Sequence, residues 1–280
     1  MTFLFAAALL AAPGAVVIQP VANLYSAPSQ GSDVVSQAIL GTNIGVIEEK
    51  EGWARVRTPD DYSGWMPQAS FLKLGEGDRP YGSHGAVAHV ESLFANLYAE
   101  PDVTRHAPVA TVPFETRLEV ASQPEGEDSR WLEVRLPNGH RAWIQRGDVR
   151  SSQESLTIDA VTALAKRFLG LPYLWGGTSS FGYDCSGYTQ MLYRRRGLLL
   201  PRDASPQAYW EGFKVVARAE VQPGDLVFFG ESGDKITHTG MYIGDGEFIH
   251  ATAYKRPVVQ VSRLDDPHWS PRLVACRRTK

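Results

Sequence analysis

Three side chains far apart in the chain, Cys185, His238 and His250, are of the types that nucleophilic catalysis needs. Cys185 stands in Asp184-Cys185-Ser186-Gly187, just ahead of a segment that reads as a helix ended by Gly197. A cysteine at a helix start faces unpaired backbone N–H groups and the positive end of the dipole. Its thiol pKa is therefore expected to fall from about 8.5 toward neutrality. Asp184 would oppose that fall if its carboxylate pointed at the sulfur, so it is expected to turn to a helix cap or to substrate.

A thiol nucleophile needs a base, supplied from elsewhere in the fold. His238 lies in the strand-like Ile236-Thr237-His238-Thr239-Gly240-Met241-Tyr242-Ile243, and His250 in Glu247-Phe248-Ile249-His250-Ala251-Thr252-Ala253. Gly244-Asp245-Gly246 between them reads as a hairpin loop. A three-residue loop sets Gly240 across from His250 and puts both imidazoles on one face as diagonal neighbours. A two-residue Asp245-Gly246 turn would put them on opposite faces. On one face, one ring can take the thiol proton while the second holds its tautomer. A metal pair is the rival reading, but no third ligand accompanies the histidines at a recognisable spacing, so neither metal nor cofactor is expected. The other cysteine, Cys276, falls in the strand-like Leu273-Val274-Ala275-Cys276 and reads as a small buried apolar residue rather than a disulfide partner.

The elements that must position these groups occupy the last third of the chain. Ile158, Val161, Ala165, Phe168 and Leu169 form a helical stripe, with Thr157 as cap, Asp159 at the positive end, and Gly170 and Pro172 as the stop. Ahead of it lies an internal repeat. Ala22-Asn23-Leu24-Tyr25 recurs as Ala95-Asn96-Leu97-Tyr98. Trp53-Ala54-Arg55-Val56-Arg57 recurs 78 positions on as Trp131-Leu132-Glu133-Val134-Arg135, and Gly64-Trp65-Met66 meets Ala142-Trp143-Ile144 at the same offset. Alternating apolar and polar residues between turn signals predict a small antiparallel barrel in each repeat, with the tryptophans in core and corner packing. Gly75 to Gly85 reads as a polar, Gly-rich linker.

Composition narrows the field further. The chain has 280 residues, 43% of them apolar, with 26 Gly and 18 Pro, as in a turn-rich globular protein of two or three units. The net charge is −3 and the only basic cluster is Arg194-Arg195-Arg196, which suits the last turn of a helix, so nucleic acid is not an expected partner. The apolar run Phe3 to Ala12 has the size of a signal-peptide core and falls short of the ~20 residues of a membrane span. Export is expected and an integral membrane segment is not. With no Lys or Arg before Lys50, a cytoplasmic enzyme is the alternative.

Residues 157 to 280 resemble the NlpC-type (NlpC/P60) cell-wall cysteine peptidases. The likeness rests on Tyr173-Leu174-Trp175-Gly176-Gly177, Asp184-Cys185-Ser186-Gly187, Pro201-Arg202-Asp203-Ala204, Gln222-Pro223-Gly224-Asp225-Leu226-Val227-Phe228-Phe229 and the two histidine segments, in that order. The repeats ahead of them resemble bacterial SH3-like domains. The resemblance implies a multidomain chain: a candidate signal peptide at 1–14, SH3-like barrels at 15–74 and 86–150, and an α+β papain-like peptidase domain at 157–280. It implies the triad Cys185, His238 and His250, with Tyr173, Asp184 and Ser186 lining the substrate site. Two SH3-like domains ahead of the peptidase resemble the γ-D-glutamyl-diamino acid endopeptidases, which cut murein stem peptides bearing a free N-terminal L-Ala. There the first SH3-like domain adds an acid and a tyrosine, for which Asp33 and Tyr62 are the candidates. A carboxylate at Asp184 facing the substrate amine would select free over blocked amines. Arg202 could tie a loop or meet a substrate carboxylate. The expected partners are stem peptides or murein fragments, met in the cell envelope or outside it, with cytoplasmic recycling as the alternative. The rival functions are a thiol amidase or acyltransferase on another substrate, and an inactive wall-binding protein.

Overall fold

A computed structural model describes residues 14–280, so the candidate signal peptide lies, except for Gly14, outside the described residues. The first half forms two antiparallel seven-stranded sheets. One joins Ala15–Val17, Val21–Tyr25, Val34–Ile39, Asn43–Lys50, Trp53–Arg57, Ser63–Pro67 and Phe71–Lys73. The other joins Val87–Val90, Phe94–Tyr98, Ala110–Pro113, Arg117–Ser122, Trp131–Arg135, Arg141–Gln145 and Val149–Arg150. In both, the spatial order is third, second, sixth, fifth, fourth, first, seventh. The alternation that predicts strands is visible in Trp53–Arg57, where Ala54 and Val56 are buried and Arg55 and Arg57 exposed. Matched residues pack alike: Tyr25 meets Trp53 edge-on at 5.4 Å between centroids, and Tyr98 meets Trp131 at 5.6 Å.

The stretch read as a linker is pinned. Tyr81 is buried, and its hydroxyl donates to the Arg135 carbonyl and accepts from the Glu119 N–H. The Asn43 side chain clamps the Tyr81 backbone, donating to its carbonyl and accepting from its N–H, both at 2.9 Å. A polar, Gly-rich composition marks a loop but does not report that one aromatic in it fills a gap between two sheets.

The C-terminal part is an antiparallel six-stranded sheet in the order Phe213–Val215, Leu273–Thr279, Leu226–Gly230, Ile236–Gly244, Glu247–Thr252, Val258–Arg263. Three helices accompany it: α1 (Ile158–Arg167), α2 (Cys185–Arg195) and α3 (Ala204–Ala208). Thr157 caps α1 by accepting from the Ala160 N–H at 3.2 Å. Leu226, Phe228, Met241, Ile249 and Ala251 share one core with Val161 and Leu164 of α1 and Tyr188, Met191 and Leu192 of α2. Val227, Phe229, Tyr242, Phe248, Trp269 and Cys276 form a second core, as period-2 alternation along a two-sided sheet requires. Cys276 is a free thiol, 4% exposed, across from Val227.

The arginine cluster does end α2, and it also docks the second sheet there: Arg194 pairs with Glu115 at 2.6 Å and Arg195 with Glu91 at 3.0 Å. Among the described residues no helix is long and apolar enough to cross a membrane. Replacing Tyr81 by Phe leaves one carbonyl and one N–H without their partner, so a loss of about 1–3 kcal/mol of unfolding free energy is expected in urea titrations.

Candidate active site

The helix carrying Cys185 starts where it does because Asp184 caps it. Asp184 Oδ1 accepts from the Gly187 N–H at 2.7 Å, satisfying one of the donors a helix start leaves open. Gly187 has no room for a side chain, since a Cβ there would lie 2.2 Å from the Gly177 carbonyl oxygen. Arg202, 2% exposed, completes the arrangement. Its Nη2 donates to Asp184 Oδ2 at 2.6 Å and its Nη1 to Asp184 Oδ1 at 3.1 Å and Ser186 Oγ at 3.0 Å. Its Nε reaches Ser36 Oγ, on the first sheet, at 3.1 Å.

Asp184 thus turns to the cap, and Arg202 ties a loop. Both carboxylate oxygens of Asp184 are engaged by protein groups, so its sequence-derived role as an open amine receptor is reduced to whatever lone pair Oδ2 retains. Ser186 is buried in the same knot, donating to Asp184 Oδ1 at 3.3 Å.

The expectation of an acidified thiol is corrected. Burial, then the charge of Asp184, push the Cys185 thiol up to about 12, against the downward pull of the Thr239 N–H, Arg202 and the Ser186 N–H. The residue is 8% exposed, and desolvation at that depth outweighs a helix terminus whose effect is confined to one turn.

The two histidine strands meet through a device that sequence left open between two registers. Asp245 and Gly246 form the two-residue turn, both at positive φ, and Gly244 pairs with Glu247. A bulge at Ile243 then shifts the register, so that Tyr242 faces Phe248 and Met241 faces Ile249. That register carries Gly240 across from His250, where a Cβ on Gly240 would come within 3.0 Å of the His250 Cβ. The turn is the short one, the bulge undoes its consequence, and both rings share a face. His238 Nε2 lies 2.6 Å from His250 Nδ1, and His250 Nε2 lies 3.0 Å from Ser262 Oγ. The ladder between the strands ends at Met241, and beyond it the Thr239 N–H, one residue from His238, faces the Cys185 sulfur.

Trp269 stacks on His238 at 4.8 Å and stands edge-on to His250 at 4.9 Å, with Phe229 and Phe248 closing the box. Burial in it pushes His238 down to about 3, with His268 adding to the effect, and holds His250 well below the usual histidine range, aided by His238 and His268. Both rings are neutral bases over the physiological range.

Tyr173, half-buried, lies near Cys185: burial, then the charges of Cys185 and Asp184, raise its phenol. Tyr62 reaches this site from the first sheet's Arg57-to-Ser63 turn and lies close to Asp203, whose own pKa is raised by burial and then by Asp184. Asp203 is the N-cap residue of α3, yet its side chain makes no capping bond. Asp33 is exposed and stands outside this cluster, next to Val34, whose carbonyl oxygen packs against Gly176. Sequence reading passed over Ser36, Asp203, Ser262 and Trp269. Only Asp203 carried a signal, as an N-cap residue within the Arg202-Asp203 motif.

The geometry can be set beside known proteins. Residues 170–278 match the NlpC/P60 family, and residues 24–71 match the bacterial dipeptidyl-peptidase SH3 domain. The γ-D-glutamyl-L-lysine dipeptidyl-peptidase of Bacillus cereus is 34% identical over 87% of this chain and 74% of its own length. The enzyme of that name from Bacillus subtilis is 29% identical over 88% and 81%. The crystal structure of an NlpC/P60 family protein from Bacillus cereus superposes with a TM-score of 0.81 at 28% identity, covering 95% of this chain and 99% of that one.

Deleting Ile243 should remove the bulge and turn His238 and His250 to opposite faces, which a crystal structure of the variant would show as loss of the imidazole contact. Neutral buried histidines also couple stability to pH. The unfolded chain takes protons near pH 6.5 while folded His238 does not until about 3, so stability is lost as pH falls through that window. Wild type should lose up to about 2 kcal/mol through His238 between pH 6.5 and 5 in urea titrations, and His238→Gln correspondingly less.

Proposed function

The chain belongs to the NlpC/P60 family, and we propose that it is a cysteine endopeptidase hydrolysing the γ-D-glutamyl-diamino acid bond of peptidoglycan stem peptides that carry a free N-terminal L-Ala. The observation that carries this reading is a convergence. The Cys185 sulfur, the Thr239 N–H that adjoins His238 of the imidazole pair, and an exposed acid beside a tyrosine from another sheet come together near the start of α2. The names of the two Bacillus enzymes, matched over most of their lengths, supply the substrate class. The shared strand order supports reading the second sheet as a second SH3-like module, and the nucleophile helix against an antiparallel sheet supports a papain-like peptidase unit.

Thiol and imidazole both rest uncharged, so the proton moves during attack rather than before it. As Cys185 Sγ bonds to the carbonyl carbon, its proton passes to His238 Nδ1, the nitrogen not engaged with His250. The Cys185 backbone N–H, in the first turn of α2, is placed to stabilise the oxyanion. Collapse breaks the C–N bond, and His238 returns its proton to the departing amine. Water, deprotonated by His238, then hydrolyses the thioester and the proton ends on Cys185.

Amine selection falls to Asp203 more than to Asp184. Its carboxylate is spent neither on its helix nor on a bidentate arginine, and with Tyr62 it forms an acidic corner in which an ammonium gains a partly desolvated, charge-assisted bond. Tyr173 and Ser186 flank the path to the sulfur, and Asp33 can add charge at the rim. A peptidoglycan-derived substrate fits an enzyme of the cell wall or the cell exterior, with cytoplasmic recycling of released peptides as the alternative.

The test is an assay on L-Ala-γ-D-Glu-diamino acid peptides, free or N-acetylated. Wild type should cleave the free peptide and Cys185→Ala should not. Acetylation or Asp203→Asn should each lower kcat/KM at least about tenfold. Equal cleavage of free and blocked peptides would remove amine selection and leave the peptidase, whereas cleavage by Cys185→Ala would remove both.

A further inference from the structure

The imidazole pair does not end at His250. Its outer nitrogen, Nε2, meets Ser262 Oγ at 3.0 Å, from the neighbouring strand Val258–Arg263. We propose that Ser262 is a positioning residue that sets the tautomers of both histidines and thereby leaves His238 Nδ1 free of its proton. This rests on the reading of His238 as the base.

Two neutral imidazoles share two N–H protons among four nitrogens, and the 2.6 Å contact holds one of them. In one arrangement His250 carries its proton on Nδ1 and donates to His238 Nε2. His238 then carries its own proton on Nδ1, the nitrogen that must accept from the thiol, and the base is blocked. In the other, His250 carries its proton on Nε2, its Nδ1 accepts from His238 Nε2–H, and His238 Nδ1 presents a lone pair. The second arrangement needs an acceptor for His250 Nε2–H. His250 is fully buried among Phe248, Trp269 and His238, so that acceptor has to be a protein group, and Ser262 Oγ stands at the right distance. A hydroxyl oxygen can accept there while its own hydrogen turns elsewhere, and Ser262 is only partly buried.

Without Ser262 the balance reverses. A buried N–H left without an acceptor is the costlier defect, while an imidazole nitrogen left without a donor is tolerated more readily. The His250 proton would move to Nδ1 and the pair would settle in the blocked arrangement. The hydroxyl therefore controls a proton two hydrogen bonds away without touching substrate.

The experiment is imidazole ¹⁵N NMR near pH 7 on full-length Cys185→Ala protein, with and without Ser262→Ala, together with kinetics in the Cys185 background. The parent should show His250 protonated at Nε2 and His238 Nδ1 bare, and Ser262→Ala should move both protons to Nδ1. In the active enzyme Ser262→Ala should lower kcat roughly 10- to 100-fold with KM little changed. Ser262→Thr, which keeps the hydroxyl and suits a strand, should restore both readouts. His250 protonated at Nδ1 in the parent, or tautomers and kcat unchanged in Ser262→Ala, would overturn the proposal. Because the tautomers are read in protein that cannot turn over, failure of the peptidase reading would show separately, as absent hydrolysis in wild type.

Discussion

The buried pair of Asp184 and Arg202 is the contact on which the site depends. One carboxylate caps α2, meets Ser186 and neutralises a guanidinium that has left water, and the guanidinium spends its remaining Nε–H on Ser36 of a different sheet. Burying two charges is costly unless they are paired and hydrogen-bonded, and here the geometry is bidentate and each guanidinium nitrogen has a partner. The pair therefore fixes three things together: where the helix starts, how the loop before α3 lies, and how the first sheet docks. Cys185 and Asp203 flank the two charged residues in sequence, so both are placed by the same knot.

Desolvation, rather than the helix dipole, sets the electrical state of the resting site. The dipole and nearby N–H groups favour a thiolate, but they act on a sulfur almost without water and next to a carboxylate. The imidazoles are held neutral by the same cause, an aromatic box in place of solvent. For the proposed reaction a neutral thiol and a neutral imidazole are a coherent pair, because charge is created only when an electrophile is present to use it. The arrangement needs the base to have the correct tautomer beforehand, which gives a hydroxyl at the far end of the imidazole pair an influence that its distance from the sulfur would not suggest.

Much of this was legible in the residues. Period-2 alternation and repeated segments gave two like sheets, the Thr157 cap and helical stripe gave α1, and Cys185 ahead of a helix with two histidines on a hairpin gave the groups proposed to react. What escaped were contacts that sequence spacing does not encode. Ser36 and Arg202 are brought together by module docking, and Trp269 reaches the imidazoles from a turn with no periodicity. The Ile243 bulge is subtler, since the residues left a two-residue and a three-residue loop both open, the turn takes the short form, and the imidazole contact needs the register of the long one. One extra residue satisfies both.

The site is finally a property of the assembled modules. Gln37 of the first sheet accepts from the Thr178 N–H at 3.1 Å and from the Ser179 hydroxyl at 3.3 Å, and Asp60 accepts from Gln190 Nε2 on α2 at 2.9 Å. Tyr62, two residues from Asp60, belongs to the same turn and lies close to Asp203. Gly176, at φ 73° with the Val34 carbonyl 2.6 Å from where a Cβ would sit, lets the loop after Tyr173 lie directly on that sheet. The docked module therefore forms one wall of the cleft where the substrate amine would bind. Its removal would take away Tyr62 and leave Arg202 with a buried donor unpaired, so the proposed amine selection and the anchoring of α2 would fail together.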